Sequence, residues 1–246
     1  MIKNYLFIAW RSISRNKLFS FINIFGLGLS MSVGVLVLIR VSDAFEYDSF
    51  HRDEENIYRV ISKMTNPQGD TWTFASTPLP LSEALRDDVR GDVVITRIYP
   101  GLHTVIKDES REFDFNGVFI EPEFFKIFSF ELSSGSDLSL DRSNTILLSE
   151  PFAKKFFGDT DAVGRIVTIG TLGEFEIAGV LRTPPAKSHI NYDVFVSISS
   201  VPALERSGLL PSEIDKWNLQ LGYTYVKLTD PQDVTRALKQ IESTSN

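Results

Sequence analysis

Residues 21–40 of the chain read FINIFGLGLSMSVGVLVLIR. This stretch lies inside an uncharged run from residue 18 to residue 39. At about 1.5 Å per residue, a helix of that length reaches ~33 Å, close to the ~30 Å hydrocarbon core of a bilayer. A core helix of that length in a soluble protein would normally show a charged face, whereas the polar residues here are only Ser20, Asn23, Ser30 and Ser32. The sequence therefore predicts a transmembrane helix over residues 18–41.

A cleaved signal peptide is the main alternative for this stretch. Its apolar region would cover about 7–15 residues and end in a small-x-small cleavage site. The run here is longer, and it ends in Leu38, Ile39, Arg40 and Val41 instead of small residues. We therefore predict that the segment is an uncleaved signal anchor.

The charges on either side of this segment predict its orientation. The first 41 residues carry five basic residues and no acidic one, whereas the remainder carries 20 basic and 32 acidic residues, a net charge of −12. The positive-inside rule places a basic flank in the cytoplasm, so the domain after residue 42 is expected outside it. The basic residues before the span that set this orientation are Lys3, Arg11, Arg15 and Lys17.

The composition also bounds the functional class. The 246 residues include no cysteine, which excludes disulfides and thiolate chemistry. A basic start followed by an acidic body is not typical of nucleic-acid binding, where the folded domain usually carries the positive patch. We therefore expect no nucleic-acid partner.

Two features refine the membrane region. Residues 1–17 form a predicted cytoplasmic amphipathic segment, with apolar side chains at helical spacing, and this segment lies in the membrane interface or is the frayed end of the span. Within the span, Gly26, Ser30 and Gly34 recur every four residues. Small residues let two membrane helices approach closely, although glycine and serine are also common in such helices. This stripe is the predicted helix-packing site.

Residues 42–246 alternate short strand-like and helical runs, which predicts an α+β domain. A stretch near residues 135–141 would divide it into two subdomains, or it is a surface loop. The glycine-rich residues 170–179 predict a hairpin that turns at Leu172 and Gly173. The predicted strands cover residues 57–64, 71–76, 93–99, 104–108, 112–119, 144–148, 166–169, 175–181, 193–197 and 223–228, and the predicted helices cover 79–89, 122–127, 151–157, 201–206 and 231–242.

Catalytic and cofactor motifs are absent from the sequence. The three histidines, His51, His103 and His189, are far apart and form no HxH or HxxxH pair, so we expect no metal site. No Gly-x-Ser-x-Gly elbow and no phosphate-binding GxxxxGK[ST] loop occurs. We therefore predict that the chain is not an enzyme and holds no cofactor.

Several stretches resemble one family of membrane proteins. NKLFSFINIFGLGLS (16–30) and YDSFHRDEENIYRV (47–60) resemble the first span and outer-domain entry of MacB/FtsX-type ABC transporter permeases. Further stretches, which occur in the order of the family, resemble its MacB-like periplasmic core domain: GVFIEPEFFKIFSFEL (117–132), SNTILLSEPFAKKFFGDTDAVGRIVTI (143–169), FEIAGVLRTPPAKSHINYDVFVS (175–197) and WNLQLGYTYVKLTD (217–230). In the entry stretch, the family-motif positions are Tyr47, Asp48, Phe50, His51, Tyr58 and Arg59.

The resemblance implies a mechanical role at the bacterial inner membrane. A separate cytoplasmic ATPase hydrolyses ATP, and the permease, working as a homodimer or permease pair, carries the motion to a periplasmic domain that moves a substrate or partner. Such permeases have at least four spans, so this chain resembles their N-terminal part. The alternative from another class is a single-span, membrane-anchored periplasmic sensor or adaptor without transport.

Overall fold

The structure is a computed structural model, and it describes residues 2–45, 47–66, 68–88, 93–108, 111–158 and 162–228. The helix predicted over residues 231–242 lies outside these residues. The chain divides into two units, Met1–Ser49 and Phe50–Asn246.

The first unit consists of two helices. Helix α1 covers Ile2–Arg15, and helix α2 covers Lys17–Phe45. They meet at a bend at Asn16, where the Ser20 N–H donates to the Asn16 carbonyl at 2.9 Å. Within α2, Lys17–Ser42 is long and apolar enough to cross a membrane, and none of its apolar window is buried. A candidate transmembrane helix is therefore present where the sequence predicts one.

The second unit is rich in strands, as predicted for an α+β domain. Three short 3-10 turns, Glu54–Asn56, Asp137–Asp141 and Ile198–Ser200, connect its elements. Its helices are α3 (Leu81–Asp88), α4 (Phe124–Ile127), α5 (Glu150–Phe157) and α6 (Val201–Arg206). Its strands are β1 (Ile57–Arg59), β2 (Ser62–Thr65), β3 (Thr71–Phe74), β4 (Val93–Lys107), β5 (Glu112–Ile120), β6 (Leu132–Gly135), β7 (Thr145–Ser149), β8 (Ile166–Ile169), β9 (Gly173–Leu181), β10 (Val194–Ser197) and β11 (Tyr223–Leu228).

Nine of these strands form one mixed sheet, in the order β1-β11-β4-β5-β10-β7-β9-β6 with β8 beside the path. The pairs β5–β10 and β7–β9 are parallel, and the remaining pairs are antiparallel. Strand β8 pairs with both β9 and the far end of β4. The pairing thus closes a ring of six strands, β4-β5-β10-β7-β9-β8, and β1, β11 and β6 extend it. Strands β2 and β3 form a separate hairpin.

Alternating side chains of the sheet supply two cores, one on each face. In β7, Ile146 and Leu148 belong to the first core and Leu147 to the second, as the two-residue period of a strand requires. Helix α5 adds its phenylalanines to the first core. Helix α4 adds Phe124 and Ile127 to the second. A third, smaller cluster lies between α3 and strands β4 and β11.

Helix α5 begins and ends where its sequence indicates. The Ser149 hydroxyl accepts a hydrogen bond from the Phe152 N–H, and proline stands in the first turn. Gly158 adopts a left-handed conformation with φ of 78°, and its N–H donates to the Lys154 carbonyl at 2.9 Å. The helix predicted over residues 151–157 therefore ends where expected, at Phe157.

Three predicted boundaries are wrong, each for a local reason. The two strands predicted around residues 99–104 are one strand, β4, because Gly101 accommodates a bulge with φ of 102°. The single strand predicted over residues 57–64 is divided between β1 and β2, which pair with different partners. In the 170–179 hairpin, Gly173 already pairs with Ile169 as the first residue of β9, so the turn lies at residues 170–172.

The stretch near residues 135–141 is not a boundary between subdomains. Strand β6, which sequence analysis missed, pairs with β9 there. Gly135 has φ of 86°, and a Cβ at this position would lie 2.1 Å from the Ala178 carbonyl oxygen, so only glycine fits. Leu140, in the following 3-10 turn, is fully buried. The stretch is therefore an integral part of one continuous unit.

Candidate functional site

The candidate site is the point where the second unit begins. Two reciprocal hydrogen bonds join this segment to the loop after α4. The Ser129 N–H donates to Nδ1 of His51 at 3.1 Å, and the Arg52 N–H donates to the Ser129 hydroxyl at 2.7 Å. Because Nδ1 accepts, the His51 imidazole lacks a proton at that nitrogen. We call the two bonds together the entry latch.

Aromatic rings surround the latch. The His51 ring centroid lies 4.1 Å from Phe50, 5.2 Å from Phe128 and 5.6 Å from Phe130. His51 is only 7% exposed, and Phe128 is 2% exposed. Ring pairs at these distances add to the stabilisation from burial. The bond between Ser129 and His51 is consequently shielded from water on the side of these rings, which strengthens it.

The same cluster reaches the edge of the large sheet. Phe128 packs edge-on against Tyr225 of β11, with ring centroids 5.0 Å apart. The Tyr225 hydroxyl lies 2.8 Å from Nε2 of His189. The guanidinium of Arg59, in β1, stacks over the Tyr223 ring at 4.2 Å, and its Nε donates to the Ala75 carbonyl at 3.0 Å. The latch is therefore fixed to the sheet through Phe128 and Tyr225.

Of the predicted motif positions, Phe50, His51 and Arg59 belong to this cluster. Tyr58 lies in β1 and is 38% exposed. Tyr47 and Asp48 belong to the first unit, where Asp48 has a left-handed backbone with φ of 60°. Sequence analysis missed Ser129, Tyr225 and His189, although each stands in a stretch that carries the family resemblance.

The predicted membrane residues lie along the two N-terminal helices. Lys3, Arg11 and Arg15 are exposed on α1, and Lys17 begins α2. A Cβ on Gly26 or Gly34 would meet no atom within 4 Å, apart from the backbone of its own helix, and Ser30 between them is exposed. The stripe thus presents an open surface within its unit.

The structure brings two of the three histidines into one cluster, although all three are far apart in the sequence. Ring contacts link His51 to His189 through Phe128 and Tyr225, whereas His103 is exposed on β4. Two aromatic rings thus stand between the two clustered histidines in this series of contacts. Among the residues that the structure describes, no group of three histidine, aspartate or glutamate side chains could hold a metal ion.

A buried charge cluster fixes α3 to the same sheet. Nε of Arg97 lies 3.0 Å from one oxygen of Glu121, and both side chains are at most 5% exposed. The second Glu121 oxygen accepts from the Arg97 N–H at 2.9 Å and from the Arg86 guanidinium. Arg97 also donates to the Leu79 carbonyl at 2.7 Å and to Glu83 of α3. One carboxylate therefore joins both arginines, and Arg97 ties α3 to β4.

Comparison with known proteins places this fold. A family model described as the MacB-like periplasmic core domain matches residues 20–244, and the chain belongs to this family, which is a component of ABC-type transporter permeases. No curated protein matches the chain.

Similar solved structures come from several bacteria. A domain of a putative permease from Porphyromonas gingivalis is 22% identical, with a TM-score of 0.65, over 80% of this chain and 84% of that one. The extracellular domain of the noncanonic ABC-type transporter YknZ from Gram-positive bacteria is 15% identical, with a TM-score of 0.53, over 78% of this chain and 93% of that one. The periplasmic region of MacB from Actinobacillus actinomycetemcomitans is 16% identical, with a TM-score of 0.49, over 68% of this chain and 72% of that one. The first two likenesses support the fold.

Proposed function

We propose that this chain is the first membrane span and the periplasmic domain of an ABC permease that converts ATP hydrolysis into movement outside the cytoplasm. The ATP is hydrolysed on a separate cytoplasmic ATPase subunit. Residues 18–41 cross the inner membrane with the N-terminus in the cytoplasm, and residues 1–17 lie at the inner interface. Two permease copies, or a permease pair, assemble through the stripe of Gly26, Ser30 and Gly34.

The observation that carries this proposal is the entry latch. A membrane helix moves an outer domain only if the first residues of that domain are held firmly. The reciprocal bonds between residues 51–52 and Ser129, beside the rings of three phenylalanines, provide such an attachment. A sensor or adaptor that only needs an anchor would function with a flexible linker of glycine and serine.

The basic residues before the apolar segment support the orientation. Lys3, Arg11 and Arg15 lie on α1 and Lys17 begins α2, so all four precede that segment. Lysine and arginine close to a span are the residues that topology follows in bacterial membranes.

Co-purification tests the proposal directly. The in-frame gene product that contains this chain is purified from membranes and probed for an ATPase subunit. We expect an ATPase to co-purify and its ATP hydrolysis to depend on the permease. If the gene product is purified from membranes and no ATPase accompanies it, this result would contradict the transporter proposal and favour the anchored sensor or adaptor.

A further inference from the structure

A cleft of about 700 Å³ opens beside the entry latch, entirely within the second unit. Its apolar wall consists of phenylalanines at positions 50, 125, 128 and 130, of which Phe125 and Phe130 are half-buried. Another part of the wall carries the consecutive prolines Pro184 and Pro185. Since proline has no N–H and a fixed φ, this wall is stiff and offers no backbone donors at those two positions.

A second contact holds the proline wall in place. The Glu150 carboxylate, at the start of α5, accepts hydrogen bonds from both the N–H and the hydroxyl of Thr183, at 3.0 and 2.9 Å. These two donors, the backbone N–H first, lower the pKa of Glu150 and keep it ionised. The cleft is thus preformed on both sides.

The rim of the cleft is basic on an acidic domain. Arg52, Lys126, Arg182 and Lys227 line it together with only two acidic residues, while the chain after residue 41 has a net charge of −12. The guanidinium of Arg52 has no hydrogen-bond or ion-pair partner among the described residues. Positive charge is therefore concentrated at this rim, although the domain as a whole is acidic.

The ion pairs at the rim are weak. Arg182 contacts Glu131 at 2.8 Å, but both side chains are about 60% exposed. Lys227 contacts Asp53 at 3.1 Å, and Asp53 is also 60% exposed. Surface pairs of this kind contribute little stability, so an anionic ligand can compete for the cations at small cost.

We propose that this cleft binds an anionic amphiphile, with its charged head at Arg52 and Arg182 and its apolar part against Phe125 and Phe130. Aromatic side chains favour burial of an apolar chain, and guanidinium groups favour a phosphate or carboxylate head. This inference rests on the proposed function and deepens it, because it names the chemistry of what the outer domain binds. The head group belongs either to a membrane phospholipid or to a soluble amphiphile.

A fluorescent reporter in the full chain tests this proposal. The chain contains no cysteine, so Pro185→Cys offers a single labelling position on the cleft wall for an environment-sensitive dye. The labelled chain, in nanodiscs of phosphatidylcholine, is titrated with hexyl phosphate, hexanol and inorganic phosphate. A parallel preparation in nanodiscs containing phosphatidylglycerol separates the two sources of the head group.

We expect hexyl phosphate to bind more tightly than either hexanol or inorganic phosphate. The double variant Arg52→Gln, Arg182→Gln should weaken its binding by about tenfold or more. The matched control is Arg142→Gln, an exposed arginine outside the cleft that pairs with Glu176, and it should leave binding unchanged. A dye response to phosphatidylglycerol alone assigns the ligand to the membrane, and a response only to hexyl phosphate assigns it to a soluble amphiphile.

Equal binding of inorganic phosphate and hexyl phosphate, equal weakening in the Arg142→Gln control, or no dye response to any probe would overturn the proposal. Flotation of each variant with vesicles, together with ATPase co-purification, reports separately on the proposed permease function. A failure of the ligand-binding proposal can therefore be distinguished from a failure of the permease proposal.

Discussion

The backbone N–H of Ser129 donates a hydrogen bond to Nδ1 of His51 at 3.1 Å, in a site where His51 is 7% exposed. These two residues are separated by 78 positions in the sequence. Together with the Arg52–Ser129 bond, this contact joins the first residues of the outer domain to its second core.

His51→Ala should reduce the stability of the outer domain by roughly 2–4 kcal/mol, because it leaves the Ser129 N–H unpaired and a cavity among three phenylalanines. Hydrogen exchange of the Ser129 amide should accelerate in the same variant. The matched control is His103→Ala, on an exposed position of β4, for which we expect a change within about 0.5 kcal/mol. Equal denaturant midpoints for the two variants would show that the latch is not structurally important.

Glu121→Gln should destabilise the domain by roughly 3–5 kcal/mol, because the buried Arg97 loses its buried carboxylate partner and keeps only the exposed Glu83. The exposed pair between Arg142 and Glu176, at 3.3 Å, provides the comparison. Glu176→Gln should cost less than about 1 kcal/mol. Both values are obtained by denaturant titration of the full chain, and a similar cost for the two substitutions would contradict the assignment of a buried ionic cluster.

Cysteine substitution at Gly26 or Gly34 should produce disulfide-linked dimers in membranes, because the small-residue stripe permits close approach of two helices. The chain has no native cysteine, so any cross-link reports on the introduced residue. Val35→Cys, on the opposite side of α2, is the matched control and should cross-link poorly. Cross-linking of the control at the same rate as the stripe positions would argue against this dimer contact.

The Tyr99 hydroxyl donates to Glu213 at 2.8 Å, and burial, followed by this bond and the nearby carboxylate charge, raises the pKa of Tyr99 above its ordinary value of 10.0. The folded state then holds this proton more tightly than the unfolded state does. The stabilisation is present below pH 10 and is lost as the pH rises above it. Tyr99→Phe should lower stability by ~1 kcal/mol near neutral pH and make its decline above pH 10 shallower, as measured by denaturant unfolding at several pH values. An unchanged alkaline decline would contradict this linkage.

Much of the fold follows from local sequence patterns. The uncharged run that becomes α2, the strand β5 and the helix α5 all depend on neighbours in the chain, so sequence analysis recovers them. Strand β6 was missed because its residues, LSSG, read as a loop, and only pairing with β9 and the close approach at Gly135 make them a strand.

The site was harder to predict for the same reason. The stretches that hold His51 and Ser129 were each recognised, but their contact depends on a long-range arrangement of two chain segments. The same holds for Tyr225 and His189, which face each other across 36 positions. Arg97 and Glu121 carry no signal in the sequence, because a single arginine in a strand normally suggests an exposed face.

The most direct test of the account measures movement of the outer domain in the assembled transporter. A spin label on Lys216→Cys, an exposed position of this cysteine-free chain, reports the distance between the two outer domains of a permease dimer with its ATPase. The account predicts a distance distribution that shifts between ATP-bound and ADP-bound states, and a smaller shift in the His51→Ala, Ser129→Ala variant at unchanged ATP hydrolysis. A shift of the same size in this variant, or none in the unmodified transporter while it hydrolyses ATP, would contradict transmission through the entry latch.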